Sequence, residues 1–177
     1  MNYVQNMRYL RFGLIGLLFA VLGMVHAQEA PDLSAIQHLA ANGHWTQAME
    51  ALNQRIAANP EDVEPAFLKG LLLLQQGDKG GAREVFLDLS RRFPRLPEAY
   101  NNLAAIQAAD GEYELARQTL LSAIANTPDY APVRANLGDL YIKMAIDAYR
   151  EALKLNPNDT AASAKLKFLE QIIQTER

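Results

Sequence analysis

Cysteine is absent from all 177 residues. That excludes disulfides, thiolate metal sites and a lipid-modified cysteine at a leader cleavage point. Histidine is scarce: apart from His26 there are only His38 and His44, which lack metal-ligand spacing and belong to no nucleophile motif. No phosphate-cradling loop occurs, since Gly80-Gly81 lacks the surrounding pattern. Positive charge is not in excess either, the formal net charge being −3. Such a surface repels nucleic acid and anionic lipid. These absences predict a protein that is not an enzyme and has no metal and no cofactor.

Long apolar runs are limited to Phe12–Val25, 14 residues, short of the roughly 20 that span a bilayer as a helix. Arg8 and Arg11 precede the run, and Val25-His26-Ala27 follows with small or apolar residues where a signal peptidase cuts. Residues 1–27 therefore read as a signal peptide cleaved after Ala27, leaving 28–177 as the mature domain. Cleavage removes two positive charges and no acid, so the net charge of −3 becomes −5. The expected location is a bacterial periplasm, with no membrane contact after cleavage. The alternative is an inner-membrane anchor formed by the uncleaved segment.

What the chain does have is a period. Ala48, Ala82 and Ala116 lie 34 residues apart, as do Gly43, Gly77 and Gly111, and Pro60, Pro94 and Pro128. All eight prolines, at 31, 60, 65, 94, 97, 128, 132 and 157, fall in or beside the turns this period defines. There a missing N–H does no harm, whereas inside a helix proline costs about 3 kcal/mol. Short apolar stripes at helical spacing lie between the turns, so the pattern predicts paired helices at about 33–42 and 45–58, 64–76 and 79–92, and 97–109 and 113–126. Gly70, Ala82, Ala104, Ala116 and Gly138 let helix axes approach, with Phe86, Leu120 and Tyr149 filling the grooves between them. Gly80 and Gly81 weaken the start of their helix or let the turn come close to a neighbour. Arg91, Arg92 and Arg95, at a helix C-terminus and the loop beyond, complement the helix dipole.

Residues 97–130 resemble the tetratricopeptide repeat family through Tyr100, Leu103, Ala104, Gly111, Tyr113, Ala116, Leu120, Ala123 and Pro128. Residues 63–96 match through Gly70, Leu73, Gly77, Ala82, Phe86, Leu89 and Pro94, and residues 29–62 through Gly43, Trp45, Ala48, Leu52 and Pro60. The resemblance implies an all-α fold, a right-handed α-solenoid of helix–turn–helix repeats. The fourth repeat, 131–159, departs from the pattern. Leu137, Gly138 and Tyr141 begin it and Ala145, Tyr149, Ala152 and Pro157 complete it, but five residues are missing where the turn belongs. The apolar set 137, 141, 144, 148, 152 and 155 runs at helical spacing through the deletion, predicting one long helix over about 132–155 that leaves the solenoid. A last helix over 159–175, started by Asn158 or Asp159, is expected to cap the array or to bury its Leu166, Leu169 and Ile173 stripe elsewhere.

In this family the first helix of each pair lines a concave surface. The resemblance thus implies a partner-binding groove formed by Phe67, Leu71, Leu74, Asn101, Asn102, Asn136, Asp139 and Lys143, with Gln37 and Ala105 beside them. Asn102 and Asn136 share a repeat position 34 residues apart. Their carboxamides can bond a peptide backbone or, alternatively, the neighbouring helix backbone. The expected function is that of an adaptor binding a peptide or helix segment of another envelope protein. The alternative is a self-associating structural protein, a homodimer for instance, built on the long fourth helix and the C-terminal helix.

Overall fold

Each of the first three repeats turns at a glycine, in a conformation that only a residue without a Cβ adopts freely. Gly43, Gly77 and Gly111 have φ of +79°, +83° and +79°, and each closes the first helix of its pair. A computed structural model describes residues 31–175; the leader expected over 1–27 lies outside them. The described residues form eight helices: α1 Leu33–Ala41, α2 Trp45–Ala58, α3 Val63–Gln75, α4 Lys79–Arg92, α5 Pro97–Ala109, α6 Tyr113–Asn126, α7 Ala131–Leu155 and α8 Thr160–Thr175. The boundaries lie within one residue of those the period predicts.

Aspartates start four of the helices. Asp32, Asp62 and Asp78 accept the N–H of Ala35, Glu64 and Gly81, and Asp159, rather than Asn158, caps α8 by accepting from Ala162 at 2.9 Å. The doublet Gly80-Gly81 finds its reason here. A Cβ at Gly81 would stand 2.6 Å from Asp78 Oδ2, so glycine lets this carboxylate lie closer over the turn than a side chain at 81 would allow.

Neighbouring helices pack in chain order, as the solenoid requires. Three apolar clusters follow one another, around Ile36 and Leu52, around Phe86 and Leu103, and around Leu120 and Leu140. Gly70 lies directly beneath the buried ring of Phe86. Polar links join the repeats. Tyr100 Oη donates to Ser90 O at 2.8 Å and receives Asn126 Nδ2 at 3.2 Å, tying α4 to α5 and α6. Arg83 on α4 pairs with Asp110 and Glu112 in the next repeat's turn. Arg92 reaches back to Pro60 O at 2.6 Å, which bears out a structural role for that member of the arginine cluster.

The fourth repeat is one continuous helix of 25 residues, about 37 Å long at 1.5 Å per residue. Its first half joins the core through Val133, Leu137, Leu140 and Met144. Its second half is accompanied by α8, which runs back along it: Arg150 bonds Glu170 at 2.8 Å, and Lys165 lies 5.7 Å from the centre of the Tyr149 ring. Tyr149 therefore does not fill a groove within its own repeat as Phe86 and Leu120 do. With no turn in α7, the helix that Tyr149 sits on has no first helix to fold against.

Candidate partner-binding groove

The first helices of the pairs, α1, α3, α5 and α7, carry three successive depressions. The first is an apolar hollow of about 430 Å³, lined by Leu33 and Gln37 of α1, Val63, Phe67 and Leu71 of α3, and Glu98 at the start of α5. Phe67 stands edge-on to Phe86, ring centres 5.6 Å apart, so it forms the floor while Leu71, 38% exposed, forms the rim. Leu74 is half-buried and packs against the core beside Leu73. Glu98 is flanked by Tyr130, whose phenol is pushed up by burial and by that carboxylate.

The second depression lies between α5 and α7, a recess of about 150 Å³ lined by Asn101, Ala104, Ala105 and Ala108 on one side and Asn136, Asp139, Leu140 and Lys143 on the other. Both sets follow the i, i+3, i+4, i+7 spacing of a single helical flank. Alanines on the α5 side leave space, and the α7 side supplies the polar groups. Among the described residues the carboxamide oxygen of Asn101 is buried without a hydrogen-bond partner. A buried acceptor left unpaired costs about 1–3 kcal/mol, so this carboxamide is locally unsatisfied.

Asn102 does not belong to this recess. Its Nδ2 donates to Glu98 O at 2.8 Å, one turn back on its own helix. The period pairs Asn102 with Asn136 because they occupy the same flank of successive helices. A recess between two helices is lined by opposite flanks, and Asn101 is the residue α5 turns toward Asn136.

Lys143 also borders a third, more open depression of about 450 Å³, with Tyr113, Ile146, Asp147 and Arg150 on one side and Glu170, Ile173 and Gln174 of α8 on the other. These residues escaped the sequence reading because α8 had to be seen lying along α7 before they could come together. Among the described residues no three His, Asp or Glu side chains gather as metal ligands, and no helix is long and apolar enough to cross a membrane.

The tetratricopeptide repeat pattern matches this chain at residues 33–94 and 67–131, and a second pattern of the same name matches 131–159. The chain belongs to the tetratricopeptide repeat family. Among curated relatives it is 26% identical over 165 residues to tetratricopeptide repeat protein 16 of Homo sapiens, covering 84% of this chain and 19% of that one. It is 34% identical over 79 residues to the uncharacterized protein ycf37 of Cyanophora paradoxa, covering 42% and 46%. The chain thus spans about a fifth of the length of the first relative and under half of the second. Of solved structures, a crystal structure of MamA superposes with TM-score 0.55 at 23% identity, covering 80% of this chain and 84% of that one. A second MamA structure gives 0.54 at 22%, covering 78% of each. At these identities the likeness shows the all-α repeat fold.

Proposed function

We propose that this tetratricopeptide repeat chain is an exported, non-enzymatic scaffold of the bacterial cell envelope that holds an extended segment of another envelope protein along α3, α5 and α7. The observation that carries the reading is the unpaired, buried oxygen of Asn101 beside Asn136, Asp139 and Lys143. A peptide in extended form presents N–H and C=O groups alternately. Asn101 accepts from one, Asn136 can do either, and Lys143 donates. The hollow around Phe67 and Leu71 takes an apolar side chain of the same segment. Export rests on the arginine-led apolar leader, and the lack of cysteine suits a compartment where no disulfide is needed.

The test is a photoreactive residue in place of Ala105, which is exposed beside Asn101, introduced in the native host. A single discrete adduct with another envelope protein, lost when Asn136→Ala and Lys143→Ala are added, is the expected outcome. An adduct pattern indifferent to those changes would remove the groove from consideration. Fractionation of the same cells separates a periplasmic from a membrane-anchored chain, the latter being the result if the leader stays in place.

A further inference from the structure

The fourth repeat carries both halves of a helix–turn–helix motif on one unbroken helix. The family pattern matches 131–159 as a whole repeat, yet α7 runs from Ala131 to Leu155 without a turn. In the second repeat the small residue of the first helix lies under the large residue of the second: a Cβ at Gly70 would stand 2.6 Å from the Phe86 ring. In the third, Ala104 and Leu120 are buried in one cluster. The equivalent pair in the fourth is Gly138 and Tyr149, eleven residues apart on one helix and so about 16 Å apart along its axis. Within one chain they cannot meet.

The Gly138 half of the unmade contact is exposed, and Tyr149 is half-buried with the Lys165 ammonium of α8 placed over its ring. Among the described residues nothing lies within 4 Å of the place a Cβ would take on Gly138, and Tyr141 beside it is 46% exposed. Farther along, Ala148 and Ala152 are exposed and Leu155 is 90% exposed. At about 100° per residue these positions form one stripe, turned away from the groove side that carries Asn136, Asp139 and Lys143. α8 meets α7 through the Arg150–Glu170 pair, off this stripe, and through Lys165 over the Tyr149 ring at its edge.

We propose that two copies of the chain exchange the missing helix: the second half of α7 in each copy serves as the second helix of the other's fourth repeat. A two-fold axis crossing the stripe at the level of residues 143 and 144, midway between 138 and 149, lays the two α7 helices antiparallel. It sets each Tyr149 over the other copy's Gly138, as Phe86 lies over Gly70. The contact is isologous and closes at two copies. Charge agrees with it. Arg134 lies on one end of the stripe and Glu151 borders the other, and the antiparallel register brings each within about one turn of its opposite in the second copy. This face is separate from the groove, so the dimer stands or falls independently of the scaffold reading.

The chain has no cysteine, which makes the geometry directly testable. Gly138→Cys combined with Tyr149→Cys gives a covalent dimer on oxidation, while either change alone does not, because 138 and 149 are too far apart on one helix for an internal disulfide. Sedimentation equilibrium of the purified wild type shows a dimer. Gly138→Gln shows a monomer with unimpaired thermal stability, and inserting five turn-forming residues after Met144 also gives a monomer, its fourth repeat now closed on itself. Phe168→Glu, on exposed α8, leaves the dimer intact. A wild type that stays monomeric at all accessible concentrations overturns the proposal, as does a dimer that survives Gly138→Gln or is lost with Phe168→Glu.

Discussion

Gly70 and Gly138 hold the same repeat position and meet opposite surroundings. An alanine methyl at 70 would overlap the Phe86 ring, and overpacking of this kind costs about 1–3 kcal/mol, more than the roughly 1 kcal/mol gained by replacing glycine within a helix. At 138 the space is open, so only the gain applies. Urea denaturation of dilute protein should therefore show Gly70→Ala destabilised by up to about 2 kcal/mol and Gly138→Ala stabilised by up to about 1 kcal/mol; equal effects would refute the packing assignment. Asp32 offers a pH test. The Ala35 N–H that it accepts, aided by Ser34, holds its carboxyl below the ordinary value of 3.8. A depressed folded-state value means the cap contributes fully above the unfolded value and is lost as pH falls through the lowered one. Hydrogen exchange should show α1 loosening in that acid range in the wild type and much less in Asp32→Asn, which keeps the acceptor without the charge; identical profiles would exclude the cap as the cause.

At the scale of elements, α7 decides how the array ends. Its continuity rests on the five-residue deletion and the absence of proline or a turn glycine between Met144 and Leu155. Ala145→Pro removes one backbone donor and crowds the carbonyl four residues earlier, at a cost of about 3 kcal/mol. Circular dichroism should show lost helicity together with a lower unfolding midpoint. A variant with wild-type helicity and midpoint would mean that the chain can bend at this point, as an ordinary repeat does. The elements themselves were legible in the sequence, since capping aspartates, turn glycines and bracketing prolines are local signals. Which flank of α5 faces which flank of α7 was not. The period equates like flanks and so set Asn102 beside Asn101 in the groove, while the recess between the helices uses Asn101 alone of the two.

As a whole molecule the chain is a row of nearest-neighbour contacts, with cores that follow one another along the array. Damage at one end should stay there. Leu52, wholly buried in the first cluster, is the place to inflict it: Leu52→Ala costs about 2–5 kcal/mol locally. Hydrogen exchange should then rise across α1 and α2 while α5 to α7 keep their protection. A uniform rise over all eight helices would show that the array unfolds as one unit. The groove is likewise divided, apolar at Phe67 and Leu71, polar at Asn101 and Asn136, charged where Arg150 meets Glu170.

By itself the sequence determined the repeats, their boundaries, the continuous fourth helix and the family, because these depend on spacing and on backbone preferences that act within a few residues. Only the tertiary structure decided that Asn102 serves its own helix, that Leu74 is half-buried against the core, that α8 returns along α7, and that no described residue covers Gly138. Each of these depends on how one helix is turned about its axis against a neighbour distant in the chain. A rotation of about 100° between consecutive residues is enough to move a side chain from a groove to a core, and no spacing along the sequence records it.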